Sequence, residues 1–159
     1  VYSAINAVDP NHEAQRIFMS PKGRRFCQGM VKEMLSYDRI LLLCGHYEGI
    51  DQRVLDLCVD EEISLGDFVL TGGEIPAMAI TDCVCRYIGG VISTDSLNEE
   101  SFTGNLLEYP QYTRPQEFMG LTVPEVLVSG NHKEVDKWRR EMSVKITEKN
   151  RPDLLGKDK

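Results

Sequence analysis

Ile40-Leu41-Leu42-Leu43-Cys44 is apolar without a break and stops at Gly45. A strand with one wet face alternates polar and apolar residues. An unbroken run is how a strand covered on both faces of a parallel sheet reads. Such a strand needs helices beside it, and the flanking sequence offers them. Arg16-Ile17-Phe18-Met19-Ser20 is a second short run, which Pro21 is expected to stop, with Gly23 in the following turn. Phe26, Met30, Met34 and Leu35 recur at helical spacing and predict a helix over about 25–37. Ile50 to Leu57 reads as one or two helical turns. Glu62-Ile63-Ser64-Leu65 and Phe68-Val69-Leu70 read as two very short strands around Gly66-Asp67. Pro76 suits the first turn of a helix reaching Ile88, with Met78, Ala79, Val84 and Ile88 among its inward residues. Alternating strands and helices imply an α/β domain with a mainly parallel sheet.

From Ser93 to Pro124 the periodicity fades, and prolines, aromatics and the Glu99-Glu100 pair mark a long loop. Val126-Leu127-Val128 reads as a last strand. Asn131 is placed to cap a helix through about Asn150, with Glu134 three residues on as in a capping box, and Arg151-Pro152 ends it. The expected parts are 1–92, an α/β domain; 93–124, a functional or linking loop; and 125–159, a helical C-terminal part.

A hydrophobic fraction of 42% and a charged fraction of 27% exclude collagen-like, low-complexity and wholly disordered chains. No apolar run is long enough to span a membrane, and Val1 to Pro10 lack the sections of a signal peptide. Five cysteines, odd in number and with no CxxC pair, fit reduced thiols, so a cytoplasmic location is expected. The net charge of −7 argues at first against a nucleic-acid partner. Its distribution permits one: residues 1–39 carry +2, 40–130 carry −12 and 131–159 carry +3.

Two turns at the ends of expected strands could carry chemistry: Cys44 through Asp51, and Ser64 through Glu74. Open α/β sheets bind ligands at such ends, and glycines let the backbone approach a ligand closely. Neither turn matches a dinucleotide or P-loop fingerprint, and taken alone both also fit plain tight turns. Cys44 with His46 lacks an orienting partner for a nucleophile, and a buried structural cysteine is the simpler reading. Cys83 and Cys85 diverge on a helix, and His12, His46 and His132 lack ligand spacing, so no metal site is expected. Arg86, near the end of an apolar helix, needs an anionic or carbonyl partner, either a carboxylate such as Asp82 or a ligand.

Read together, the segments resemble the TrmD-type bacterial tRNA (guanine-N(1))-methyltransferases. The matching stretches are Ser20-Pro21-Lys22-Gly23-Arg24, Cys44 through Val54, Leu65 through Met78, Ser101-Phe102, Leu106-Leu107, Tyr112-Thr113-Arg114-Pro115, and Ser129-Gly130-Asn131-His132 with Trp138-Arg139. They occur in the family's order over nearly the whole chain. The resemblance implies an α/β fold of the SPOUT class: a mainly parallel sheet with a deep trefoil knot, followed by a short helical C-terminal part. It implies S-adenosylmethionine in that knot, held by Ser20 and Pro21, then Gly45, Tyr47, Glu48 and Gly49, then Leu65, Gly66, Asp67, Phe68, Val69 and Leu70, with Gly72, Gly73 and Pro76. The implied reaction methylates N(1) of the guanine immediately 3′ to the anticodon. Glu100 stands where the family has an aspartate general base, with Glu99 or Asp95 as competitors, and Arg86 matches the family's helix arginine. His46 stands where the family often has arginine. Arg114, Asn131, His132 and Arg139, with Lys133, Lys137 and Arg140, are the implied tRNA contacts. A homodimer is implied, and magnesium is a family possibility only. The family's first strand, Phe-Pro segment and Gly-Gly-Gly-Pro-Gly-Met loop have no counterpart here, so the chain is expected to begin partway through the catalytic domain. The alternative expectation is a fragment that binds cofactor or RNA without turnover.

Overall fold

The structure, a computed structural model, describes residues 1–91 and 100–156. The chain divides into two compact units, Val1–Ser93 and Thr94–Lys159. Among the described residues no helix is long and apolar enough to cross a membrane.

The first unit is α/β, with a three-stranded sheet. Strand β1 (Gln15–Arg25) lies in the middle, parallel to β2 (Ile40–Leu43) on one side and to β3 (Glu61–Ser64) on the other. Helix α1 (Tyr2–Val8) precedes β1, and α2 (Gln28–Met34), α3 (Gln52–Cys58) and α4 (Glu74–Cys85) follow β1, β2 and β3 in turn. Residues alternate faces along a strand, so β1 feeds two cores at once. Ile17 and Met19 join Met30, Met34, Ile63 and Ile80 on one side. Phe18 joins Ile5, Leu43, Leu55 and Cys58 on the other.

Several expectations change. Pro21 does not stop β1. The strand runs on to Arg25 through a register shift between Met19 and Arg24, both of which pair with Ile63. Proline lacks the N–H that a regular ladder needs, and an irregular stretch removes that demand. Gly23 therefore sits in a strand, where a Cβ would come within 2.3 Å of the Glu62 backbone. Phe68-Val69-Leu70 forms no strand; the three side chains are exposed, in a loop between β3 and α4. Helix α4 stops at Cys85, and its buried stripe is Pro76 and Ile80 with Ala77 and Val84 packed beside them, whereas Met78, Ala79 and Ile88 are exposed. Cys44 lies just past β2 and is exposed, not buried in the strand. Helix α1 had no counterpart in the sequence reading.

One buried ion pair ties the start of β1 to the α1–β1 connection. Arg16 Nε donates to Asp9 Oδ2 at 2.8 Å, and the two side chains are 4% and 2% exposed. The Asp9 carboxylate also accepts from the N–H groups of Glu13 and Ala14. Burial pushes its pKa up most strongly, but these bonds together outweigh it and hold the carboxyl below its ordinary value.

The second unit holds a two-stranded antiparallel ribbon, β4 (Glu117–Phe118) and β5 (Leu121–Thr122), then α5 (Glu125–Val128) and α6 (His132–Asn150). Val126–Val128 is thus helical rather than a strand. Pro124 precedes it, Glu125 occupies its first turn, and Ser129 Oγ donates back to the Val126 carbonyl at 2.8 Å. Asn131 takes the N-cap position of α6, but its side chain makes no capping bond. Thr147, fully buried on α6, accepts from Leu107 N–H at 2.8 Å and donates to the Ser143 carbonyl at 2.7 Å.

Candidate functional site

At the carboxyl ends of β2 and β3, beside the irregular middle of β1, three segments wall an open cleft of about 240 Å³ in the first unit. They are the stretch around Ser20, the Gly45–Ile50 turn, and the Ile63–Gly73 loop running into α4. This is where open α/β sheets leave a crevice, because each strand hands its chain to a connection that turns away.

Glycine makes the walls thin. A Cβ on Gly73 would sit 2.7 Å from Cys44 Cα, and one on Gly45 would meet the Phe18 ring at 2.9 Å. The two loops pair through their backbones: Gly73 N–H donates to the Gly45 carbonyl at 3.1 Å, and His46 bridges Gly72 in antiparallel fashion. Gly49 takes a φ of 118°, open to glycine alone, while Tyr47 adopts φ 60° with its side chain fully exposed. Ser64 Oγ donates to the Gly66 carbonyl at 3.0 Å and accepts from Gly66 N–H at 3.2 Å, a small turn that directs the chain out of β3. Asp51 caps α3 by accepting from Arg53 N–H at 2.9 Å, fixing the far end of the Gly45 turn.

The side chains on these walls have a consistent chemistry. Phe18, Ile50, Leu65, Val69, Leu70 and Pro76 give an apolar surface for a flat ring. Glu48 and Glu62 also line the cleft, against Lys22 as the only lysine or arginine there among the described residues. Glu62 Oε2 is buried and has no hydrogen-bond partner among the described residues. A cleft of this balance suits a cationic ligand with an aromatic ring better than a polyphosphate. At its rim, His46 Nε2–H donates to Glu74 Oε1 at 2.5 Å. Glu74 opens α4, and its own N–H, followed by His46, holds its carboxyl below the ordinary range. Partial desolvation by the surrounding loops, aided by the charge of Glu74, pushes the thiol of the exposed Cys44 up, which leaves it a poor nucleophile.

Of the residues singled out as cofactor contacts, Ser20, Pro21, Gly45, Tyr47, Glu48, Gly49, Leu65, Phe68, Val69, Leu70, Gly72, Gly73 and Pro76 all line this one cleft. Gly66 and Asp67 do not. Gly66 is the pivot of the Ser64 turn, and Asp67 points to solvent beside Arg25 at 3.5 Å. Phe18, Lys22, His46, Gln52, Glu62 and Thr71 line the cleft without having been singled out. Strand alternation signals Phe18 and Glu62 in the sequence, and Lys22, His46, Gln52 and Thr71 lie within the stretches of family resemblance.

Arg86 is half-buried at the C-cap of α4. Glu100 is half-buried in the second unit; Glu99 and Asp95 lie outside the described residues. Among the described residues no group of three or more His, Cys, Asp or Glu is arranged to hold a metal.

The second unit has its own groove of about 620 Å³ between residues 109–116 and helix α6. Arg114 and Arg139 both line it. The Arg139 guanidinium lies 4.7 Å from the Tyr109 ring centre, and Tyr112 and Trp138 pack with centroids 6.2 Å apart. Asn131 and His132 are exposed at the start of α6 and stand apart from that lining.

Comparison with known proteins adds a second kind of finding. A family model described as tRNA (Guanine-1)-methyltransferase TrmD matches residues 1–157. A tRNA (guanine-N(1)-)-methyltransferase of Clostridioides difficile is 57% identical over 89% of this chain and 62% of its own length. Proteins of the same name from Alkaliphilus oremlandii and Ruminiclostridium cellulolyticum are 57% and 54% identical, over 92% and 99% of this chain and 60% and 69% of theirs. The chain spans about three-fifths of the length of the first of these relatives.

Proposed function

The chain belongs to the tRNA (guanine-1)-methyltransferase TrmD family, and on that premise we propose that it carries the S-adenosylmethionine-dependent methylation of tRNA at N(1) of the guanine immediately 3′ to the anticodon. One observation carries the reading: three segments far apart in sequence, each a stretch of family resemblance, wall a single cleft. The cleft's chemistry fits the cofactor. Its carboxylates complement a sulfonium and an amino group, its apolar wall suits adenine, and its glycine-thinned loops leave backbone groups close to a bound ring. When bound, S-adenosylmethionine supplies a methyl group on a sulfonium, with a neutral thioether as leaving group.

The chain's own residues must prepare the acceptor. Guanine N(1) is protonated near neutral pH and is a poor nucleophile until that proton leaves. Glu100 takes it as general base, and Arg86 faces the negative charge that develops toward O6. The target base must be unstacked to enter a pocket. Arg114 and Arg139, with Asn131 and His132, contact the tRNA backbone, and the Tyr112–Trp138 aromatics suit an exposed loop base. The trefoil knot, a cofactor domain over 1–92, an interdomain or active-site loop over 93–124, a helical C-terminal part over 125–159 and a cytoplasmic homodimer belong to the same reading, with magnesium a possibility of the family only.

The test is transfer of labelled methyl from S-adenosylmethionine to tRNA transcripts with guanine or adenine 3′ to the anticodon. Label on the guanine transcript alone is the expected result. Equal labelling of both contradicts the assignment, and cofactor binding without transfer leaves a binding module.

A further inference from the structure

We propose that His46 and Glu74 form a clasp that fixes the spacing between the two glycine-rich loops of the cleft, and that both act as positioning residues for whatever the cleft binds. The two loops come from different strand ends and are otherwise held together at a few backbone points. Gly73 N–H reaches the Gly45 carbonyl at 3.1 Å, and His46 bridges Gly72. Neither Gly72 nor Gly73 has a side chain to anchor it, and their contacts leave no room for one. A Cβ on Gly72 would lie 2.4 Å from Glu74 Oε2 and 2.9 Å from His46 Cε1. The pair thus closes around the glycine that it braces.

The geometry of each partner suits this work. Glu74 is the first residue of α4, whose N-cap, Gly73, offers no side-chain cap. Its carboxylate sits where a helix favours negative charge, so it is held in place from the helix side. His46 extends from the other loop and donates Nε2–H to Glu74 Oε1 at 2.5 Å. His46 lines the cleft, whereas Glu74 is not part of its wall. The clasp therefore acts through the loops, with the carboxylate standing behind them. Both side chains are about half exposed, so the bond competes with water and its effect on global stability is small. Its effect on local spacing is larger, since a ligand gripped by backbone groups senses shifts well below an ångström.

That the ligand is S-adenosylmethionine rests on the function proposed above; the clasp itself is testable without it. In native-state hydrogen exchange of the whole chain without ligand, His46→Ala and Glu74→Ala are expected to speed exchange of the Gly73 amide at least fivefold. The amide of Ile80, in the core of α4, should keep its rate. With S-adenosylmethionine as the probe, each single variant should weaken binding roughly five- to tenfold, as loss of a partly exposed charge-assisted bond implies. The double variant should be no worse than either single one. His46→Arg, which keeps a donor to the carboxylate, should restore binding to within about threefold of the parent. Unchanged Gly73 exchange in both single variants, or multiplying losses in the double variant, would overturn the clasp. Faster Gly73 exchange in a chain whose parent form binds no S-adenosylmethionine would keep the clasp and reject the cofactor.

Discussion

The two units are built on different terms. Among the described residues, nearly all buried apolar side chains lie in Val1–Ser93, centred on Ile17, Ile63 and Ile80, whereas Thr94–Lys159 contributes Leu106. Beside Leu106, the buried side chains of the second unit are polar, Ser143 and Thr147, and it holds its loop to α6 by the Leu107–Thr147 bond and by the Arg139 guanidinium over the Tyr109 ring. A cleft that grips a small molecule by backbone groups needs strands that do not shift. A surface that meets a large, charged partner tolerates more give. The difference fits the proposed division of labour, with the small ligand in the first unit and the tRNA on the second.

Substitutions can break this contrast at its strongest point first. Gly73→Ala places a methyl 2.7 Å from Cys44 Cα and 3.1 Å from Met19 Cβ, neither of which can swing away. By isothermal titration it should lose affinity for S-adenosylmethionine about a hundredfold or more, because the loop itself must move. Glu100→Gln should lower methyl transfer by about two to three orders of magnitude while leaving cofactor affinity within twofold; equal losses in both would argue against a base. Ile63→Ala, at a fully buried position on β3, should cost about 3–4 kcal/mol in denaturant unfolding of the first unit. Thr147→Val tests the other side. It leaves the Leu107 N–H without its acceptor and should cost about 1–2 kcal/mol, read as faster exchange in α6 with the first unit unchanged.

Surface charge should matter least. Arg24 donates to Glu33 at 2.7 Å, and that bond holds the Glu33 carboxyl below its ordinary value. A lowered folded-state pKa stabilises above the unfolded value near 4.5 and loses that contribution as pH falls through the folded one. Glu33→Gln should thus lower the thermal midpoint by about 1 °C at pH 7, and the difference should shrink as pH falls below 4.5 and vanish once the folded carboxyl is protonated.

The frame of the first unit was legible because its signals are local. The unbroken Ile40–Cys44 run, the helical spacing of Met30 and Met34, and the proline at the start of α4 each bear on one element. The misread segments were those whose apolar residues serve something other than a core. Phe68-Val69-Leu70 looks like a strand because apolar runs usually mean burial, yet it is exposed loop on the wall of the cleft. Val126-Leu127-Val128 has strand-forming residues, but the proline and acid before it start a helical turn. The cleft itself was legible by family resemblance, since its glycines recur at family spacing. The His46–Glu74 pair was not, because 28 residues separate partners that only the tertiary fold brings together.

The central claim is that the cleft at the strand ends holds S-adenosylmethionine. The most direct measurement is a titration of the chain followed through backbone amide shifts. One saturable site is predicted, with the largest changes at Gly45–Gly49 and Leu65–Gly73 and little change along α6. Changes concentrated in α6, or none at saturating cofactor, would contradict it.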